Sequence, residues 1–147
     1  MKTAEVSSIV FRKLKPLGAT RKGRSTFVLE TPELLKSIDI QKSDFSQLCY
    51  LNYSFTLKRV PTGGLKTHLM KRATSKDPLI KEQIDHWLDL DSDSPDPERA
   101  QGIDWIIDEI VLPEIQTINT ENDLKKFILT LPTMNLVPIR LREHYGL

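Results

Sequence analysis

Hydrophobic and polar side chains alternate most regularly between residues 48 and 58. The odd positions are apolar and the even positions mostly polar: Cys49, Leu51, Tyr53, Phe55 and Leu57 against Leu48, Tyr50, Asn52, Ser54, Thr56 and Lys58. Successive side chains of a strand point to opposite faces, so this pattern predicts a strand with one covered apolar face and one polar face. We expect this strand, within the segment 37–58, to be the core strand of an antiparallel sheet, with Phe55 facing the covering helices.

Three further segments show period-two patterns with short connections between them. They predict strands over Ser25–Thr31, Leu34–Lys42 and, with a weaker pattern, Leu65–Ala73. Consecutive strands with short links are typical of an antiparallel meander. Residues 74–90 leave two interpretations open, because their apolar positions have helical spacing while residues 87–90 also fit a short strand.

The N-terminal segment has the spacing of an amphipathic helix. Apolar side chains recur at three- and four-residue intervals over residues 3–17, with Thr3 as a candidate cap and Gly18 as a C-terminal stop. These features predict a helix that covers one face of the sheet.

Two further helices are predicted in the C-terminal third. Asp96 is a candidate N-cap followed by Pro97 at the first helical position, and Pro113 should end or kink that helix. Thr120 and Asp123 resemble a capping box that opens the next helix, with Asp in place of the usual Glu.

Together these elements predict one α+β domain over residues 1–147. Its antiparallel sheet has about four or five strands, built from residues 19–73 with residues 87–90 as a further candidate. The N-terminal helix and two C-terminal helices pack on it. A chain of 147 residues is long enough to bury such a core.

Composition and charge exclude several function classes. The apolar fraction is 39% and the net charge is +1, so the whole chain has no electrostatic bias toward nucleic acid or a membrane. No apolar run approaches the roughly 20 residues of a membrane helix. The single cysteine, Cys49, cannot form an internal disulfide and is expected to be a core thiol. We expect a cytoplasmic protein without a cofactor.

A candidate recognition patch lies where two predicted strands run side by side. Polar and aromatic side chains suited to contact a partner occur at Gln41, Lys42, Ser43, Tyr50, Asn52, His68 and Arg72. His68 and Arg72 would share one strand face and together hold an anion. The alternative interpretation is that the amides satisfy backbone groups at strand ends and that the charges are solvated.

A second candidate site is basic. No acidic residue interrupts the segment 12–24, whose candidate anion or nucleic-acid contacts are Arg12, Lys15, Arg21, Lys22 and Arg24. The segment 89–98 carries only acidic charges and offsets this excess. An ordinary charged surface is therefore the competing interpretation.

No metal site is predicted. Asp89, Asp91 and Asp93 have the spacing that begins a calcium loop, but Ser94 replaces the required glycine and Ala100 the twelfth-position glutamate. The three histidines are spread along the chain without zinc-ligand spacing. We expect residues 89–98 to form a solvated acidic linker.

Several short motifs together resemble a known family. They are Leu14-Lys15-Pro16-Leu17-Gly18, the basic turn Arg21 to Arg24, Phe27 on the next strand, Ile38 to Ser43, Tyr50-Leu51-Asn52, His68, Arg72 and Trp87. In these the chain resembles the bacterial family called domain of unknown function 4304, over roughly residues 9–90 and more loosely beyond. It departs from the family at Ala19, where an aromatic residue usually follows the glycine. The resemblance implies a fold and a bacterial or phage-like origin, and it implies no activity.

From these features we expect a small binding or interaction protein without catalytic chemistry, such as one that neutralises a toxin or regulates a partner protein. The alternative is a nucleic-acid-associated protein that uses residues 12–24. An enzyme ranks third, because no phosphate loop, nucleophile elbow or catalytic carboxylate pair is present.

Overall fold

Five strands form one antiparallel sheet in chain order. The structure, a computed structural model, describes all residues from 1 to 147. The strands are β1 (Thr20–Lys22), β2 (Thr26–Glu30), β3 (Leu34–Lys42), β4 (Cys49–Leu57) and β5 (Leu69–Arg72), and their order in the sheet is β1-β2-β3-β4-β5. The predicted α+β class and antiparallel meander are confirmed.

The hairpin of β3 and β4 forms the centre of the sheet. The two strands pair over their whole length, from Leu34 opposite Leu57 to Lys42 opposite Cys49. All odd-numbered side chains of β4 are buried, as the alternation predicted. Phe55 is fully buried, with its ring 6.2 Å from that of Phe127. Its predicted orientation toward the helices is confirmed.

Six helices supply the cover. They are α1 (Thr3–Leu14), α2 (Pro78–Leu88), α3 (Asp96–Ile106), α4 (Leu112–Ile115), α5 (Glu121–Ile128) and α6 (Ile139–Tyr145). Short 3-10 turns at Lys15–Leu17 and Met134–Leu136 and a π-helical turn at Ile107–Val111 complete the helical part. Buried apolar side chains from all six helices join those of the sheet in one core. No helix has both the length and the apolar character to cross a membrane.

Several boundaries differ from the sequence-based expectation. Residues 78–88 are helical, and Asp89 makes only an isolated bridge with Leu48. Strand β5 begins at Leu69, four residues later than predicted. The caps are Lys2 and Pro95 instead of the residues that follow them.

Two helix signals in the C-terminal third had different outcomes. Pro113 does not end the helix, because it is the second residue of α4, after the π-helical turn, where a missing N–H is tolerated. The capping box at Thr120 is confirmed, with the Asp123 N–H donating to the threonine hydroxyl at 3.0 Å.

The acidic segment after α2 is folded around a buried arginine. The Arg99 side chain is 1% exposed and donates to the carbonyls of Asp89 at 2.7 Å and Ser92 at 3.1 Å, and to the Ser92 hydroxyl at 2.8 Å. Most of its acidic side chains are exposed, as predicted, but the segment is not a free linker, because Arg99 of α3 binds its carbonyl groups and residues 96–98 belong to α3.

Candidate functional site

The helices leave one face of the sheet uncovered, and that face carries a polar cleft. The cleft encloses about 650 Å³. Its walls are side chains of all five strands, together with Ser25 of the β1–β2 turn and with Lys66 and Thr67 of the loop that joins β4 to β5. We call it the sheet cleft. It contains six hydroxyl side chains, two amides, one carboxylate and two lysines: Ser25, Thr26, Ser37, Ser54, Thr56, Thr67, Gln41, Asn52, Asp39, Lys22 and Lys66.

The strand register aligns the polar side chains in rows across the sheet. One row is Thr26, Asp39, Asn52 and Arg72, and the next is Val28, Ser37, Ser54 and Met70. Paired residues on adjacent antiparallel strands have Cβ atoms roughly 5 Å apart, close enough for their side chains to interact. The hydroxyls of Ser37 and Ser54 are hydrogen-bonded to each other.

A hydrogen-bonded cluster closes one end of the sheet cleft. The Asn52 amide donates to the Gln41 side-chain oxygen at 2.9 Å. The Arg72 guanidinium lies 3.4 Å from both the Asn52 and the Gln41 amide oxygens and 3.7 Å from the centre of the Tyr50 ring. Asn52 is 1% exposed although it lies on the open face. We call these four residues the amide–arginine cluster.

Asp39 is a half-buried carboxyl group in the sheet cleft. Burial raises its pKa, whereas the Asn52 side chain opposite and the positive charge of Lys66 act in the reverse direction. Its carboxyl group is therefore less readily ionised than an ordinary surface aspartate.

Four of the seven residues of the predicted recognition patch converge in this cluster, and three lie elsewhere. The Lys42 ammonium donates to the carbonyls of Ser43 and Ser46 at 3.4 and 3.2 Å, and Ser43 itself accepts the Phe45 N–H. Lys42, the last residue of β3, and Ser43 therefore make their hydrogen bonds within the β3–β4 turn.

His68 has a structural role in the fold. Its side chain is 1% exposed, its Nδ1 accepts the Leu57 N–H at 3.0 Å, and its Nε2 lies 3.1 Å from the Pro61 carbonyl oxygen. An Nδ1 that accepts a hydrogen bond places the proton on Nε2, so both ring nitrogens are occupied. The expected anion site of His68 with Arg72 does not form, because the imidazole is enclosed by the β4–β5 loop.

The basic segment is partly neutralised by helix α3 and the π-helical turn. Arg12 lies 3.8 Å from Asp104, and the Lys13 ammonium lies 2.7 Å from Asp108. Arg21 donates to the carbonyls of Gly23 and Arg24 and lies over two aromatic rings. Lys15, Lys22 and Arg24 are exposed. Within this segment, only Arg12 and Lys13 therefore have an acidic partner within 4 Å.

A second hollow, of about 700 Å³, lies between the β3–β4 turn and α2. Its lining is mostly exposed and includes Glu82, Asp85, Asp89 and Asp91 beside the fully exposed Phe45. Nothing comparable to the hydrogen-bonded buried side chains of the sheet cleft occurs there. No group of three or more His, Cys, Asp or Glu side chains is arranged to hold a metal ion.

Sequence reasoning named the four residues of the amide–arginine cluster within a patch of seven, but it named neither their mutual contacts nor Asp39, Ser37, Ser54 or Lys66. The signal for the first three was the polar set of alternate positions on β3 and β4. Pairing these two sets in the observed register places Asp39 opposite Asn52 and Ser37 opposite Ser54. Lys66 carried no such signal, because it lies in an irregular loop.

The fold and the sheet cleft define an α+β protein whose helices cover one face of a five-stranded meander and whose other face is open and polar. Residues 10–117 match the family described as Domain of unknown function (DUF4304), and the chain belongs to this family. No curated protein and no solved structure matches the chain.

Proposed function

We propose that this protein is a binding module that recognises a partner protein through the sheet cleft and its amide–arginine cluster. The observation that carries the proposal is a polar concavity, with buried and mutually hydrogen-bonded side chains, on the sheet face that no helix covers. The proposed role is to neutralise or regulate that partner in the cytoplasm.

The chemistry of the face supports recognition. Buried amides and hydroxyls add little net stability, because burial removes them from water and their hydrogen bonds largely replace those that water would make. The cluster holds its side chains in one arrangement before a partner arrives, which lowers the entropy lost on binding. The Arg72 guanidinium lies over the Tyr50 ring, and arginine and tyrosine are both enriched at the energetic centres of interfaces.

Apolar side chains around the polar centre suit a protein partner. Met70 is 56% exposed on β5, and Leu65 is 53% exposed in the loop before it. Leu35 and Val28 also line the sheet cleft. Such a mixture of apolar and polar groups is typical of protein interfaces.

The test is an affinity pull-down from native cells with the full chain as bait. We expect Arg72→Glu to lose the partner, because it reverses a charge and breaks the contact with Tyr50 and both amides. The matched control is Lys126→Glu, a charge reversal at an exposed position of α5. Thermal unfolding of each variant checks that it is folded. Retention of every partner by folded Arg72→Glu contradicts the proposal.

The same experiment addresses the nucleic-acid alternative. Lys15→Glu with Arg24→Glu removes two exposed cations of the basic segment that lie outside the sheet cleft. Loss of co-purifying nucleic acid with this pair, together with a steep fall in affinity as salt rises, would favour the alternative.

A further inference from the structure

Asp39 differs in its surroundings from Glu114, Glu121 and Asp123, three other half-buried carboxyl groups. Glu114 is paired with Lys71 at 2.9 Å, and Glu121 with Arg59 at 2.5 Å. Asp123 accepts two backbone N–H groups at the start of α5. No lysine, arginine or histidine nitrogen lies within 4 Å of the Asp39 carboxylate.

Asp39 has no counter-ion, although the Asn52 side chain opposite stabilises its charge, and its position makes it available to a ligand. It lies on the floor of the sheet cleft, between Thr26 of β2 and Asn52 of β4 in the strand register. A carboxylate that is partly removed from water and has no counter-ion gains most from a cation that enters from outside.

We infer that the sheet cleft binds a cationic group, an ammonium or a guanidinium, against the Asp39 carboxylate. This inference rests on the proposed function of the open face and specifies its ligand chemistry. The cation is either the side chain of a lysine or arginine on the partner protein or a free amine or guanidine. The hydroxyls of Thr26 and Ser37 beside Asp39 complete a polar site for the remaining atoms of that group.

The charge of Lys66 predicts in which direction the affinity for a cation should change when this residue is replaced. It is exposed on the β4–β5 loop, lines the same cleft, and its charge lowers the pKa of Asp39 without forming an ion pair within 4 Å. Lys66 therefore competes with an incoming cation. Its removal should strengthen the binding of a cation, whereas removal of the same lysine should weaken the binding of an anion.

The experiment is a titration of the full chain, followed by NMR shifts of the Asn52 side-chain amide. The probes are agmatine as a free guanidine, an acetyl-Gly-Arg-Gly-amide peptide, and the same peptide with glutamine in place of arginine. We expect the arginine peptide, agmatine or both to bind at least about tenfold more tightly than the glutamine peptide, about 1.4 kcal/mol. Binding of agmatine alone identifies a free ligand, and binding of the arginine peptide identifies a protein segment.

Two variants and a control decide the role of the carboxylate. Asp39→Asn, which keeps the shape of the side chain, should lower the affinity for the cationic probe about tenfold. Lys66→Met should raise this affinity several-fold. Asp44→Asn, on the exposed β3–β4 turn, should leave the affinity unchanged. The inference is overturned if neither cationic probe binds, if Asp39→Asn has no effect, or if Lys66→Met weakens binding. If the inference fails while Arg72→Glu still loses the partner protein, the proposed function stands without it.

Discussion

Replacement of Arg99 by methionine should destabilise the protein strongly, although Arg99 belongs to no candidate site. Its guanidinium is almost completely buried and makes three hydrogen bonds of 2.7–3.1 Å to Asp89 and Ser92. Methionine keeps most of the apolar stem and removes the donors, so the variant isolates their contribution.

The expected loss can be worked from these contacts. A hydrogen bond to a charged group contributes roughly 1.5–3 kcal/mol net, so three would sum to roughly 4.5–9 kcal/mol. Asp89 and Ser92 are only half-buried, so water can form some of the hydrogen bonds that Arg99 no longer makes when the segment loosens. We therefore expect Arg99→Met to cost about 3–4 kcal/mol, a large part of the roughly 5–15 kcal/mol that stabilises a typical domain.

Urea denaturation and amide hydrogen exchange measure the two consequences. The midpoint should fall, and the N–H groups of Leu90 and Ser92, which bond to Gln47 and Asp89, should exchange faster. Arg99→Lys should be intermediate, because a single ammonium cannot reproduce the fork of the guanidinium. Arg24→Met, at an exposed arginine, is the control. Unchanged stability and unchanged exchange in Arg99→Met would refute the idea that Arg99 organises this segment.

Three further predictions test the core and the sheet. Phe55→Ala should cost about 3–5 kcal/mol and Ser54→Ala about 1 kcal/mol, and equal losses in denaturant titrations would contradict the assigned faces. Burial, followed by the hydrogen bond and charge of Glu114, raises the pKa of Tyr53, so the folded state favours the neutral phenol. That stabilising contribution is complete below pH 10 and is lost as the pH rises further. Tyr53→Phe should therefore lose less stability at alkaline pH than the unchanged protein. The same dependence of unfolding free energy on alkaline pH in both proteins would disprove the effect. Gly102→Ala should destabilise by about 1–3 kcal/mol in thermal unfolding despite the better helix propensity of alanine, because its Cβ would overlap the Trp87 indole; a stabilised variant would show that the indole moves aside.

The sheet was largely predictable because its signals are local. The predicted bounds of β3 match those observed, and alternate side chains of β4 have the predicted faces. The capping box at Thr120 was equally local, since both partners lie within four residues. Each of these features depends on neighbouring residues only, so sequence alone was sufficient.

The features that were missed depend on contacts between distant residues. Residues 89–98 were predicted to be a linker because the arginine that organises the segment comes from the following helix. Helix α2 was left ambiguous because Trp87 and Leu88 suit a helix and a strand equally well, and packing against α3 through Gly102 settles the choice. His68 was predicted to lie on an open strand face. In the structure it precedes β5, and its ring is buried against Leu57 and Pro61.

In the candidate site, too, local features were predictable and contacts between distant residues were not. Gln41 and Asn52 were predicted from strand ends, and the structure adds a direct hydrogen bond between them. Asp39 was not predicted as a site residue, because a single aspartate in a strand is usually exposed to solvent. Only the cleft above it, closed on one side by the loop that carries Lys66, distinguishes this carboxylate from a surface one.

The two faces of β4 differ in what their side chains contact. Its odd-numbered side chains fill the core, so their truncation leaves cavities and threatens the fold. Its even-numbered side chains Asn52 and Ser54 are nearly as buried, yet they hydrogen-bond to Gln41 and Ser37 and line an open cleft. A sequence selected for stability alone would gain by placing well-packed apolar side chains at such positions, because buried polar groups seldom add net stability. Under the proposed binding role, substitutions at the even positions should alter binding more than stability, while those at the odd positions should do the reverse.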